Sequence, residues 1–309
     1  MSGQLRKRTT IAIAAVATAV AGTVASVAAV RARDLTPQTT PTTVASLADC
    51  VPVSAATQRA AASIAGHTEQ LTSGGHSVIV YVPGASTTLT STAFPVVYFL
   101  HGSPGNAQSW ISGGNMPAVL DSMIAAGTLP PIIAVFPDDQ GVTADDSYWG
   151  DTPLGDTVET WLTGTLVPTI DARYRTLGAK YRGIAGLSAG GFGALNISIH
   201  HPGMFSFVAS YSGVFTAPDR LFGSESAQNS PVLTAVTFPS TDRTPLYLGR
   251  GADDTEFGPD TTNFIATVQS LGWAPLHTET VPGPHSWQAW SVEARDSLTW
   301  LGQLWKATC

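Results

Sequence analysis

The sequence predicts an α/β domain with a mostly parallel central sheet and helices on both faces. Two observations carry this. Short apolar β-rich runs recur along the chain, and helical stretches separate them. Alternation of the two element types implies βαβ units.

The elements follow in order. His76–Pro83 (HSVIVYVP), Phe94–Leu100 (FPVVYFL) and Ile132–Phe136 (IIAVF) read as strands, the last ending in the turn Pro137-Asp138-Asp139. Thr157–Tyr174 has helical spacing, with Val158, Trp161, Leu162, Leu166 and Ile170 on one side. Next come a strand at Arg182–Gly186, a helix from Ala189, and strands at Phe205–Tyr211, Pro245–Leu248 and Pro275–Val281. A final helix lies around Ser291–Trp305. In such sheets the active site lies beyond the carboxyl ends of the strands.

The ends of the chain read differently. Arg6-Lys7-Arg8 precedes an uncharged run, Thr9–Val30, made mostly of Ala, Thr and Val. This is the layout of an export segment, with small residues for cleavage after Ala29. Residues 1–33 are therefore expected to be a signal peptide or a membrane anchor, and the body to lie outside the cytoplasm. Residues 34–49 are a Thr/Pro/Ala-rich linker, and residues 50–309 form the folded domain. The two cysteines, Cys50 and Cys309, bracket that domain, and an oxidising compartment predicts a disulfide between them. The net charge of −7 becomes more negative once the N-terminal cations are set aside. That excludes nucleic acid as a partner, since phosphate binding requires clustered Lys and Arg. No metal-ligand spacing such as HExxH and no cofactor motif is present.

Gly186-Leu187-Ser188-Ala189-Gly190 matches G-x-S-x-G between a β-rich run and a helical stretch. In that context the pattern places a serine on a sharp strand-to-helix turn, with its hydroxyl exposed at a helix N-terminus. Ser188 is the candidate nucleophile. In folds of this type the acid and then the histidine follow the serine in the chain. Of His200, His201, His277 and His285, only His285 sits in a loop after the last strand. His277 lies within a strand, and His200 and His201 precede Pro202 at a helix end as exposed capping residues. His285 is thus the candidate base. The acid should follow the penultimate strand, where Asp253 and Asp254 are both in reach and Glu256 lies further off. An oxyanion hole needs a backbone N–H from the residue after the nucleophile, Ala189. A second must come from the loop after the Phe94–Leu100 strand, where Ser103 is the candidate and Pro104 cannot donate. His101 is expected to support this loop. Trp110, Trp149, Trp287 and Trp290 are candidates for the walls of a cleft.

These segments resemble the α/β-hydrolase esterase family that holds esterase D, feruloyl esterases and the antigen 85 mycolyltransferases. FPVVYFLHG resembles its oxyanion strand and loop. LVPTIDARYRT (Leu166–Thr176) with GLSAGGFGAL (Gly186–Leu195) is similar to its most specific signature, and HPGMFSFVASYSG (His201–Gly213) continues it. In esterase D-like members the acid is the second aspartate of a G-x-D-D turn, which falls on Asp254. HSWQAW (His285–Trp290) resembles the segment that carries the antigen 85 histidine. Antigen 85 has an aspartate at the position of His101, and its absence here argues against a trehalose-type acceptor. The resemblance implies a secreted or surface serine esterase acting on a small-molecule, lipid or carbohydrate ester, without a cofactor. Two alternatives share the scaffold: an acyltransferase passing the acyl group to a sugar, and a non-enzymatic cell-surface binding protein. The N-terminal segment could tie any of the three to a membrane or cell envelope.

Overall fold

The computed structural model describes residues 54–87, 91–139 and 147–306. The linker, the N-terminal segment, Cys50 and Cys309 lie outside the described residues. So does any test of the disulfide.

Eight strands form one sheet: β1 (His67–Ser73), β2 (His76–Val82), β3 (Val96–Leu100), β4 (Ile133–Pro137), β5 (Arg182–Leu187), β6 (Phe207–Tyr211), β7 (Leu246–Gly251) and β8 (Leu276–Val281). Their spatial order is β1-β2-β4-β3-β5-β6-β7-β8. The pairs β1–β2 and β2–β4 are antiparallel, and every later pair is parallel. The apolar runs of the sequence become the middle of this sheet. Every residue of β3, β4, β5 and β6 is buried, as a sheet covered on both faces requires.

One strand of the eight escapes the sequence reading. β1 (HTEQLTS) carries no apolar run, because it is an edge strand and mostly exposed. It is fixed by a two-residue hairpin in which Ser73 pairs with His76. Gly74 and Gly75 both take positive φ there, as a type I′ turn demands. The helix expected over Thr157–Tyr174 forms with a defect. Val158–Trp161 and Val167–Tyr174 flank a π-helical turn, Leu162–Leu166. Pro168 has no N–H to give the carbonyl four residues back, and the Val167 N–H reaches five residues back to Leu162 O instead.

The helix Ala189–His200 is the central connection. All but its last residue are buried, which suits its sequence, apolar and small on every side. It starts directly after the C-terminal end of β5. On the sheet's order, β3 has β4 on one side and β5 on the other. The strand order reverses between β3 and β5, and at such a switch point sheets of this type carry ligands beyond the strand ends.

Candidate active site

Ser188 caps the helix Ala189–His200 with φ 52° and ψ −119°, a backbone state costly for any residue with a Cβ. Its neighbours make the turn possible. A Cβ on Gly186 would lie 2.2 Å from Gly190 O, and one on Gly190 would lie 2.3 Å from Leu100 O. The two glycines of the motif are thus required by backbone passing backbone. The Ser188 N–H is taken by Tyr211 O at 2.9 Å, which fixes the turn to β6. Ser188 itself is 8% exposed.

His285 lies in the loop after β8, and its Nε2 is 3.0 Å from Ser188 Oγ. Its Nδ1 is 2.8 Å from Asp254 Oδ2. An ionised carboxylate only accepts, so Nδ1 carries the proton and Nε2 is left to accept from the serine hydroxyl. Asp254 Oδ1 accepts the N–H groups of Glu256 and Phe257, at 3.2 and 2.9 Å, so both carboxylate oxygens are engaged. The structure also separates the two aspartates of the turn. Asp254 is buried, whereas Asp253 is exposed and offers its backbone N–H to Gly283 O. Glu256 is exposed. The acid turn and the histidine loop are joined directly by that bond and by Ala252 N–H to Val281 O.

The β3 loop approaches from the other side. Gly102 is buried against Leu187 and Ser188, and Ser103 follows it half-buried. Ala189 begins the helix, so its N–H has no intrahelical acceptor. His101 is fully buried. Its Nδ1 bonds to Gly102 O at 3.0 Å, its Nε2 accepts the Asp139 N–H, and its own carbonyl accepts the Trp149 indole N–H at 2.9 Å. His101 therefore braces the loop, and it lies outside the Ser188–His285–Asp254 chain of hydrogen bonds.

Of the four tryptophans, Trp110 and Trp149 are fully buried and belong to the core. Trp287 and Trp290 are half-buried near the site. Trp290 stands edge-on to the His285 ring at 5.0 Å, and Phe257 packs on that ring at 4.6 Å. His200 and His201 are not merely exposed caps. His200 Nδ1 and His201 Nε2 both lie 2.9 Å from one oxygen of the buried Glu159. The helix that carries Glu159 comes from a distant stretch of sequence, so adjacency in the chain gave no sign of the contact. Among the described residues, His101 with Asp138 and Asp139, and His277 with Glu279 and Asp296, bring ligand-type atoms within 4.8 Å of one another.

Comparison with known proteins agrees with this architecture. The family model Putative esterase matches residues 39–301. An endo-1,4-beta-xylanase/feruloyl esterase of Xylanibacter ruminicola is 32% identical over 130 residues, covering 41% of this chain and 18% of that protein. An esterase of Mycobacterium tuberculosis is 32% identical over 150 residues, covering 44% of this chain and 30% of its own length. The chain thus spans less than a third of each of these curated relatives. Among solved structures, a ferulic acid esterase superposes with a TM-score of 0.70 at 24% identity, covering 78% of this chain and 98% of that one. An S-formylglutathione hydrolase of Staphylococcus aureus gives 0.61 at 16% identity, covering 77% and 98%. At these identities the superpositions speak for the α/β-hydrolase fold, and the family match over most of the chain makes this protein a member of the Putative esterase family.

Proposed function

We propose that this protein is a serine esterase that hydrolyses carboxylic esters through an acyl-serine intermediate. The observation that carries this reading is the unbroken hydrogen-bonded chain from Ser188 through His285 to Asp254. Ser188 Oγ attacks the ester carbonyl as His285 Nε2 takes its proton. Asp254 holds the imidazole in the required tautomer and stabilises it once charged. The Ala189 and Ser103 N–H groups receive the developing oxyanion. The alcohol leaves with the proton from His285, and water then repeats the sequence to release the acid. Relatives named feruloyl esterases make hydroxycinnamoyl esters the first substrates to try, and the rings of Phe257 and Trp290 beside His285 favour an aromatic acyl group.

The test is labelling by a serine-directed phosphonate together with turnover of an ester panel, in wild type and Ser188→Ala. Wild type should be labelled at Ser188 and should turn over esters. Ser188→Ala should remain folded and lose roughly 10⁴–10⁶ of the rate. Wild-type-like activity in a folded Ser188→Ala protein would remove Ser188 as nucleophile.

The same reading places the enzyme outside the cytoplasm. It is delivered by the basic, then uncharged, N-terminal segment of residues 1–33 and is closed by a Cys50–Cys309 disulfide. Intact mass of the exported protein checks both points. Two free thiols would refute the bridge, and a cytoplasmic full-length product would refute the export.

A further inference from the structure

Glu293 is a buried acid that the chemistry above leaves unused. It lies on the last helix, Trp287–Lys306, and is 0% exposed. One carboxyl oxygen, Oε1, accepts from Ser212 Oγ at 2.9 Å. The other, Oε2, is buried with no hydrogen-bond partner among the described residues. A carboxylate there would be desolvated with most of its acceptor sites unfilled, which strongly favours the neutral form. Burial accordingly pushes the Glu293 carboxyl up to about 8. The Ser212 hydrogen bonds work against that rise, and the charge of Asp254 adds to it. The other titratable groups facing it are Tyr211 of β6 and Tyr247 of β7, both held above the usual phenol range by burial, and Asp296 on its own helix acts on the same two phenols.

Ser212 is the link between this acid and the site. It directly follows β6 with φ 47°. Its N–H donates to Gly249 O at 2.9 Å, and its Oγ accepts the Gly251 N–H at 3.4 Å. The side chain of Glu293 packs on Gly249 of the same strand. Ser212 and Glu293 thus clip the end of β6 to the end of β7. The chain leaves β7 at Gly251, bonds to the histidine loop at Ala252 and Asp253, and reaches Asp254.

We propose that Glu293 is a positioning residue of the esterase site. As an uncharged carboxyl it fixes, through Ser212, the strand end from which Asp254 departs. On losing its proton it sets a second negative charge against Asp254, and the repulsion displaces the acid from its seat behind His285. The proposal rests on the serine-esterase reading above.

The experiment follows kcat and KM for a neutral ester, and the rate of Ser188 labelling by a neutral organophosphate, from about pH 6 to about pH 10. It compares wild type with Glu293→Gln, Glu293→Ala and Ser212→Ala, with the Tm of each measured alongside. Wild type should show a fall in kcat/KM and in labelling on the alkaline side near pH 8. Glu293→Gln keeps the shape and the acceptor for Ser212 but cannot ionise. It should retain neutral-pH activity and lose the alkaline fall. Glu293→Ala and Ser212→Ala should lower kcat by up to about 10²-fold with KM little changed, since small misplacements of an acid–base pair cost that much. A merely structural Glu293 would alter Tm and leave the pH profile of the glutamine variant superimposed on wild type, and that result would overturn the proposal while leaving the esterase reading intact. A wild type that neither turns over esters nor is labelled would overturn the esterase reading, and the proposal with it.

Discussion

Gly102 and Ser188 touch across the ends of β3 and β5: a side chain at position 102 would place its Cβ 3.0 Å from Ser188 Cβ and 2.7 Å from Leu187 Cδ1. The contact follows from register, because Leu100 pairs with Gly186 and the two loops leave the sheet side by side.

Gly102→Ala is therefore expected to push the β3 loop away from the nucleophile. Leu187 can give at its methyl, but Ser188 is held by its own bond to Tyr211 O, so the loop must move. If Ser103 supplies an oxyanion donor, kcat should fall by roughly 10²–10³, with only a small change in Tm. Steady-state kinetics and a melting curve check this, and unchanged kcat in the variant would remove Ser103 from the oxyanion hole.

Asp254→Asn should damage turnover on the order of 10⁴-fold, because an amide can hold His285 in the wrong tautomer. Asp253→Asn should be close to silent, since that side chain is exposed. Parallel kinetics of the two variants decide the matter, and a reversed order of effects would move the acid by one residue.

Asp171 tests a different part of the family signature. Its carboxylate pairs with Arg182 at 2.6 Å and also accepts from the Thr176 hydroxyl. Arg182 begins β5, its side chain is 7% exposed, and it donates to Met204 O as well. Asp171→Ala strands a buried guanidinium, which typically costs about 3 kcal/mol or more, somewhat less here because Asp171 is about a third exposed. Chemical denaturation should show the loss, while kcat of the folded fraction stays at the wild-type value. A lowered kcat without lost stability would contradict this structural role.

The limits of reading this chain from its sequence follow from where the information sits. The strands β3 and β4 were legible because burial on both faces writes them as unbroken apolar runs. The strand-to-helix turn at Ser188 was legible because the glycines that flank the serine stand together in the chain, although Gly190 is forced by Leu100 O of distant β3. Asp254 could not be told from Asp253 by composition, since both precede the same helix. Only the direction in which the turn buries one of them separates the pair. Glu293 gave no signal, and Ser212 stood only within the segment His201–Gly213 with no role attached, because the two become notable only when distant elements bring them together. The hairpin at Gly74-Gly75 did carry a local signature, but the polar sequence of β1 hid the strand before it.

The clasp of Glu159 by His200 and His201 should make stability depend on pH in a defined window. His200 offers Nδ1 to the carboxylate and Nε2 to Gln228 O at 3.0 Å, and two acceptors favour the doubly protonated ring. The Glu159 hydrogen bond is the main cause that raises His200 above its ordinary value of 6.5. Burial alone would raise Glu159, but the hydrogen bonds and charges of His200 and His201 outweigh it and hold the carboxyl below 4.5. The signs then follow from linkage. A raised histidine contributes fully below 6.5 and loses its contribution as pH climbs through the folded value. A lowered carboxylate contributes above 4.5 and loses its contribution as pH falls through the folded value. The clasp is therefore strongest between about pH 4.5 and about pH 6.5. The Tm difference between wild type and Glu159→Gln should be largest inside that window and shrink on both sides. The clasp sits at the end of the helix Ala189–His200 opposite Ser188, about 18 Å away at the usual rise per residue, so kcat should not follow the same profile. A Tm difference that stays constant from acid to alkaline pH would show that Glu159 contributes through packing alone.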